Sequence, residues 1–421
     1  MRPILAFCLI LLTATSAFAL DDEAERYVKL ALELGEYDPD YVDAYLGPDE
    51  WAKEAKDNIR SKDELAADIS NLLSDLKNLS LTDTESVARH RALLRNVRAM
   101  DTRMRMVNGE IFSFAEEARL IYDVTLPTYD FSEFDRILEE IENLMPGVGA
   151  LAERVDAFRN ELVIPEDAHN AVIDRAINEC RRRSSEYISL PASEHFTLEY
   201  VHDQIWTGYN WYQGENESLM QINLDFPIKV DEAIVLSCHE GYPGHHVWSI
   251  LIENRLLKEN GWIEFSVFPL FSPAGLIAEG SAEYGVYLAF PGSERLEYER
   301  DILFPLAGLD PEKAVTMDEL RRLTNRLGHA FTATAQLYLD GEISREEAIE
   351  QVQKYDLSSR ARAENSVRFI EQNRSYVLNY DLGQDIVRKY IESKSDDQQS
   401  RWEAFERMLT ELSFASDMTN Y

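Results

Sequence analysis

Apolar residues recur at spacings of three and four along most of the chain, as in ELAADISNLLSDLKNL, ALAERVDAFRNELV and AVIDRAINECRRRSSEYI. That spacing gathers them on one face of an α-helix. Ser61 with Glu64, Ser113 with Glu116 and Ser344 with Glu347 each stand three apart just ahead of such a run. A serine hydroxyl and a glutamate carboxylate so placed satisfy each other's backbone N–H groups, and so mark helix starts. The stretches GLIAEGSAEYGVYLAF, MDELRRLTNRLGHAFTATAQLYL and SSRARAENSVRFIEQNRSYVLNY continue the helical pattern towards the C-terminus. Strand-type alternation is convincing in one stretch, SLMQINLDFP, where Leu219, Gln221 and Asn223 alternate with Met220, Ile222 and Leu224 until Pro227 stops the run. It directly precedes the expected helix DEAIVLSCHE. The pattern therefore predicts a mostly α fold with a small β-sheet edge before that helix. Pro and Gly cluster near 146–148, 163–165, 190–193 and 208–214, which places a soft boundary near 190. An N-terminal helical region, 20–190, and a second region, 191–421, are expected to form one continuous domain.

Residues 1–19 carry a different pattern. Arg2, the apolar run ILAFCLILLTA and the small residues Ala17 and Ala19 read as a cleaved secretory leader, with a mature chain starting near Leu20. A secreted or periplasmic protein is expected, and no second apolar run is long enough to span a membrane. The 421 residues are 45% hydrophobic and 28% charged, an ordinary globular composition that argues against disorder. The formal net charge is −35, and loss of Arg2 with the leader makes it one unit more negative. Such a field repels nucleic acid and anionic lipid, so neither is an expected partner. The mature chain keeps only Cys180 and Cys238, too few for a disulfide scaffold. Two buried free thiols are the expectation, with a single bridge as the alternative.

The chemistry concentrates in SCHEGYPGHH, residues 237–246, which holds three of the eight histidines. In the zinc-hydrolase pattern H-E-x-x-H, two histidines four apart share a helix face and reach one metal. Here His245 follows His239 by six, which in a regular helix is about 240° round and about 9 Å along. Pro243 cannot continue that helix, and Gly241 and Gly244 allow a turn. With Pro243 and Gly244 extruded the stretch reads HEGYHH, and His245 comes onto the face of His239. His246 is the competing ligand, but its rise of about 10.5 Å is too long for a shared ion. The rival reading is a structural histidine cluster at a helix end. Downstream, Glu279 and Glu283 lie one turn apart in the apolar IAEGSAEYG, where two like charges need a compensating cation. One carboxylate on a metal and the other on a ligand imidazole would meet that need; a solvated acidic face is the alternative.

Together CHEGYPGHH, EGSAEYG, YNWYQG, SLMQINLD and NRSYVLNYDLG resemble a large bacterial family still described as a domain of unknown function. That family in turn resembles a remote branch of the gluzincin zinc peptidases, the clan of thermolysin, thimet oligopeptidase and Taq-type carboxypeptidases. The resemblance spans roughly residues 190–390. It implies one zinc ion held by His239, His245 and Glu279, Glu240 as general base, Glu283 orienting a ligand, and a peptide substrate. Cobalt or manganese could replace zinc with the same donors. Tyr376 and Tyr380, one helical turn apart, are candidate donors to a developing oxyanion, with Arg374 as a clamp for a substrate carboxylate. A tyrosine stripe packed between helices is the alternative. The strand holding Gln221 and Asn223 is expected to bind an extended peptide by edge pairing. The other reactions compatible with these residues are metal-dependent hydrolysis of a different amide or ester, and no reaction at all around a structural metal.

Overall fold

The three serine–glutamate pairs each form a capping box, at the starts of the helices Lys62–Asn78, Phe114–Ile121 and Arg345–Tyr355. In this computed structural model, which describes residues 4–394 and 396–419, 67% of the chain is helical, so the mostly α class holds. The leader expectation falls on residues 1–19, of which residues 1–3 and the side chains of 4–19 lie outside the described residues. Among the described residues no helix is long and apolar enough to cross a membrane.

The main core draws Tyr27, Leu72 and Val172 from before residue 190 and Met220, Ile234, Val387 and Phe405 from after it. A smaller cluster packs Phe134 and Ile141 against Leu320, Ala330 and Tyr355. Both clusters therefore join the N-terminal helical region to the later one.

The sheet content exceeds the single strand that the pattern predicts. A two-stranded ribbon pairs β1 (Val42–Tyr45) with a later segment, and a three-stranded sheet holds β2 (His195–Val201), β3 (Gly208–Gly214) and β4 (Glu217–Asn223). The partner of β1 is β5 (Val267–Pro269), antiparallel to it. In the larger sheet the order is β2-β4-β3, with β4 parallel to β2 and antiparallel to β3. The strand read from the sequence is thus central, and the expectation that it offers a free edge is wrong. Its neighbours hid for physical reasons. β2 alternates exposed His195, Thr197 and Glu199 with half-buried Phe196, Leu198 and Tyr200, a weak period-two pattern with no fully buried position, and β3 begins and ends in glycine, which suggests a loop although its aromatic residues suit a strand. Glu215 and Asn216, at φ +52° and +68°, make the tight turn that joins β3 to β4.

Two expected helices are also broken. The stretch 317–339 divides into Lys313–Asn325 and Gly328–Leu339. The stretch 358–380 breaks at Arg374, whose φ of +51° ends Arg360–Asn373 before Leu378–Lys394 begins.

Helix Pro273–Ala289, which carries Glu279 and Glu283, crosses Leu378–Lys394 with the two backbones in contact. A Cβ on Gly280 would lie 2.4 Å from the Gly383 carbonyl carbon, so only glycine lets the helices approach this closely. Gly280→Ala should therefore destabilise the protein by about 1–3 kcal/mol despite alanine's better helix propensity. Urea unfolding measures this, and an unchanged midpoint would show that the crossing can relax.

Candidate metal centre

Helix Val230–Leu236 widens into a π turn over Ser237–Gly241, and the chain resumes as helix His245–Leu251. Across the break the Tyr242 N–H donates to the Ser237 carbonyl at 3.2 Å and the Gly244 N–H donates to the Cys238 carbonyl at 2.9 Å. The second bond spans six residues where an α-helix spans four. Tyr242, which is extended and caps the first helix, Pro243, and Gly244, which caps the second, all lie outside helix. This corrects the expectation that Pro243 and Gly244 are extruded from one continuous helix: the chain breaks over three residues and a new helix starts at His245. A Cβ on Gly244 would lie 1.8 Å from the His239 carbonyl oxygen, so the position admits no side chain.

The step brings the two imidazoles together, with His239 Nε2 and His245 Nε2 3.1 Å apart. From the crossing helix, Glu279 places Oε2 3.2 Å from His239 Nε2 and Oε1 3.6 Å from His245 Nε2. Four-coordinate zinc with bonds of about 2.0–2.1 Å separates its ligand atoms by about 3.3 Å. The two nitrogens and the oxygen facing each are spaced close to this, and one ligand atom from each of the three residues lies within 4.8 Å of the others, so the residues suit such an ion. Glu279 Oε2 is buried and accepts no well-aligned hydrogen bond, its 3.2 Å approach to His239 Nε2 being the one charge contact it has among the described residues, and an ion between the two would complete its coordination. Glu279 is 6% exposed and His239 7%, while both rings and the carboxylate line an open cleft of about 510 Å³.

Around these three, Glu283 Oε1 faces His239 Nδ1 at 3.2 Å, and the Tyr376 hydroxyl donates to Glu279 Oε1 at 2.6 Å. Burial disfavours the His239 imidazolium, but Glu279 and Glu283 outweigh it and hold the ring well above the usual range. Burial likewise opposes the Glu279 carboxylate, and the two histidines more than offset this and lower its pKa. A metal bound here would displace a proton.

Glu240 is 6% exposed, lines the cleft and makes no side-chain hydrogen bond with the described residues. Burial pushes its pKa up, against the pull of His239 and His245. It lies beside Gly208 of β3, where a Cβ would come within 3.2 Å of its Oε1. Tyr380 also lines the cleft, with its ring stacked on His239 at 6.4 Å and 5.9 Å from Tyr376. Tyr376 is spent on Glu279, so of the two expected oxyanion donors only Tyr380 lines the cleft without bonding a candidate ligand.

Other expected residues lie elsewhere. Arg374 donates to the buried Glu117, because its left-handed backbone turns it away from the cleft, so it cannot clamp a substrate. Gln221 and Asn223 sit on the central strand, outside the cleft lining. Gln221 accepts from the Trp211 indole at 2.8 Å, and Asn223 donates to the Trp206 carbonyl at 3.1 Å. Both support aromatic walls of the cleft in place of touching its contents. His246 is fully buried, between Ser218 at 2.8 Å and Glu194 at 3.2 Å, and cannot reach the ligand cluster. Cys180 and Cys238 form a disulfide, Cα to Cα 5.5 Å, which overturns the free-thiol expectation. The bridge ties helix His169–Ser185 to the π turn beside His239.

Sequence reasoning missed Asp43 and Tyr209, which line the cleft and bond to one another, and Glu194, which receives Tyr242, His246 and Arg181. Nothing local marks them, since Asp43 and Tyr209 are 166 residues apart. Burial pushes the Asp43 pKa up to about 7, with His245 opposing and Glu279 and Glu240 adding to the shift.

No family model matches the chain, and no curated protein does. Among solved structures the chain is similar to the crystal structure of a presumed lipoprotein from Colwellia psychrerythraea, with 16% sequence identity and a TM-score of 0.53. The alignment covers 86% of this chain and 66% of that one, so this chain spans just under two thirds of its neighbour's length. At that identity the likeness is one of fold alone.

Replacing His239, His245 or Glu279 with Ala should abolish stoichiometric zinc binding, whereas His246→Ala should bind zinc and unfold more easily. Elemental analysis of the purified variants checks both halves. Zinc lost with His246 and kept without His245 would reverse the ligand assignment.

Proposed function

We propose that this protein is an exported zinc peptidase of the gluzincin type, hydrolysing peptide bonds in the cleft beside β3. The observation that carries the reading is the pair of imidazole nitrogens 3.1 Å apart, each facing one oxygen of Glu279 at 3.2 and 3.6 Å, opening onto a cleft that also contains an unpartnered, buried carboxylate. A catalytic zinc site has three protein ligands and an open position, whereas a structural site is closed by four. The open cleft favours the catalytic alternative over a structural metal.

A zinc ion held by His239, His245 and Glu279 would polarise the scissile carbonyl and make water a better nucleophile. The protein's own groups do the rest. Glu240, with its proton affinity raised by burial, accepts the proton of the attacking water and returns it to the leaving amine. Tyr380 donates its hydroxyl to the oxygen that gains negative charge. Glu283 and Tyr376 fix the orientation of His239 and Glu279, as partners beyond the ligands commonly do. β3 pairs on one side only, with β4, and five consecutive residues from Gly208 to Tyr212 line the cleft. An extended peptide can pair with its other side. The edge expected of the central strand thus belongs to its neighbour.

Glu240→Gln should keep its zinc and lose about 10²–10⁴-fold in kcat. Turnover at the original rate by the metal-loaded variant would remove Glu240 from the reaction.

Tyr380→Phe should lower kcat by about 10²–10³ with little change in KM, while Tyr376→Phe should chiefly weaken zinc binding. Steady-state kinetics with parallel zinc titration separate the two, and equal behaviour of both variants would contradict the distinct roles.

A further inference from the structure

The cleft is walled on one side by three aromatic residues of the β3 region. The Trp206 and Tyr209 ring centroids are 5.5 Å apart and those of Tyr209 and Trp211 are 4.7 Å apart. Elsewhere in this chain aromatic faces are commonly covered by a neighbouring cation, such as Arg103 over Phe271 at 3.7 Å and Arg183 over Phe290 at 4.1 Å. Among the described residues no lysine or arginine covers Trp206, Tyr209 or Trp211, and none lines the cleft. The nearby arginines are spent elsewhere: Arg89 on Glu264 at 2.6 Å, Arg374 on Glu117 and Arg103 on Asp38. The cleft does hold acids. Asp43 accepts the Tyr209 hydroxyl and has no cationic partner, and Glu240 is more than nine-tenths buried with its carboxylate unpartnered.

Aromatic faces attract a cation through their quadrupole, the more so once it is desolvated. A carboxylate beside them adds a charge-assisted hydrogen bond to an ammonium or guanidinium. A substrate carboxylate at this wall would meet the opposite: electron-rich faces, the Asp43 carboxylate and no lysine or arginine. We propose that Asp43 and the rings of Trp206, Tyr209 and Trp211 form a cation-recognising subsite, so that the cleft selects ligands bearing an ammonium or guanidinium group and rejects those bearing a carboxylate there. That the ligand is a peptide rests on the peptidase reading; the preference for positive charge does not. Gln221 and Asn223 serve as positioning residues for this wall, through Trp211 and the Trp206 carbonyl.

The test uses zinc-loaded Glu240→Gln protein, which allows binding without turnover. The probes are acetylated, amidated pentapeptides of Gly and Phe carrying Lys, norleucine or Glu at each position in turn, followed by tryptophan fluorescence. At one position the Lys peptide is expected to bind about tenfold or more tighter than the norleucine peptide, and the Glu peptide weaker than both. Asp43→Asn in the same background should remove the Lys preference while zinc content holds. Trp211→Leu, at an exposed position of β3, should reduce it several-fold and serves if Asp43→Asn does not fold. Equal or tighter binding of the norleucine or Glu peptides at every position, no binding at all, or a Lys preference that survives both substitutions would overturn the subsite. Cleavage of the same peptides by the unsubstituted protein is read separately: a preference in binding with no cleavage would sink the peptidase reading and leave the subsite standing.

Discussion

Two imidazole nitrogens held 3.1 Å apart, beside a buried carboxylate oxygen that accepts no well-aligned hydrogen bond, form the constraint around which this fold is arranged. Buried charges and bare polar atoms cost free energy unless something compensates them, and here the protein supplies only part of that compensation. Glu283 stands 3.2 Å from the outer nitrogen of His239 and Tyr376 donates to Glu279, so the cluster is supported at its flanks, and the proposed ion would sit at its centre. The backbone is built to the same end. A three-residue break between two helices turns His245 onto His239, with Gly244 packed directly on the His239 carbonyl. The contact between Gly280 and Gly383 then brings the glutamate helix against the tyrosine-bearing segment.

The helical framework was legible in the sequence because capping boxes and a period near 3.6 are local signals, and the three boxes all form. The ligand candidates were legible for the same reason: His239, Glu240 and His245 share ten residues, and Glu279 and Glu283 share one helical turn. What the sequence hid was long-range. The order of strands follows from tertiary pairing, so the best-patterned strand is central, while β3, the edge that borders the cleft, reads locally as a glycine-bounded loop. The role of Arg374 depended on a single left-handed residue, and the partnership of Asp43 with Tyr209 joins segments distant in the chain. The disulfide escaped because two cysteines 58 residues apart carry no spacing signature.

The charge of the chain takes on a local meaning in the cleft. A protein with 77 acidic and 42 basic residues repels anions generally, yet most of its arginines are engaged in ion pairs with acids. The cleft lining is where this pairing stops: acids, the two histidines and aromatic faces remain, without a lysine or arginine among the described residues. The same small sheet thus serves two ends. It presents β3 beside the cluster of His239, His245 and Glu279, and through Gln221 and Asn223 it supports the tryptophans of the proposed subsite.

The most direct measurement is X-ray absorption at the zinc edge, combined with anomalous diffraction from crystals of the zinc-loaded mature protein. The account predicts one ion, bound by two nitrogen atoms of His239 and His245 and by oxygen of Glu279 at about 2.0–2.1 Å, with the remaining position open to the cleft. An ion bound at His246 instead, a closed set of four protein ligands, or no ordered zinc between His239 and Glu279 would contradict it.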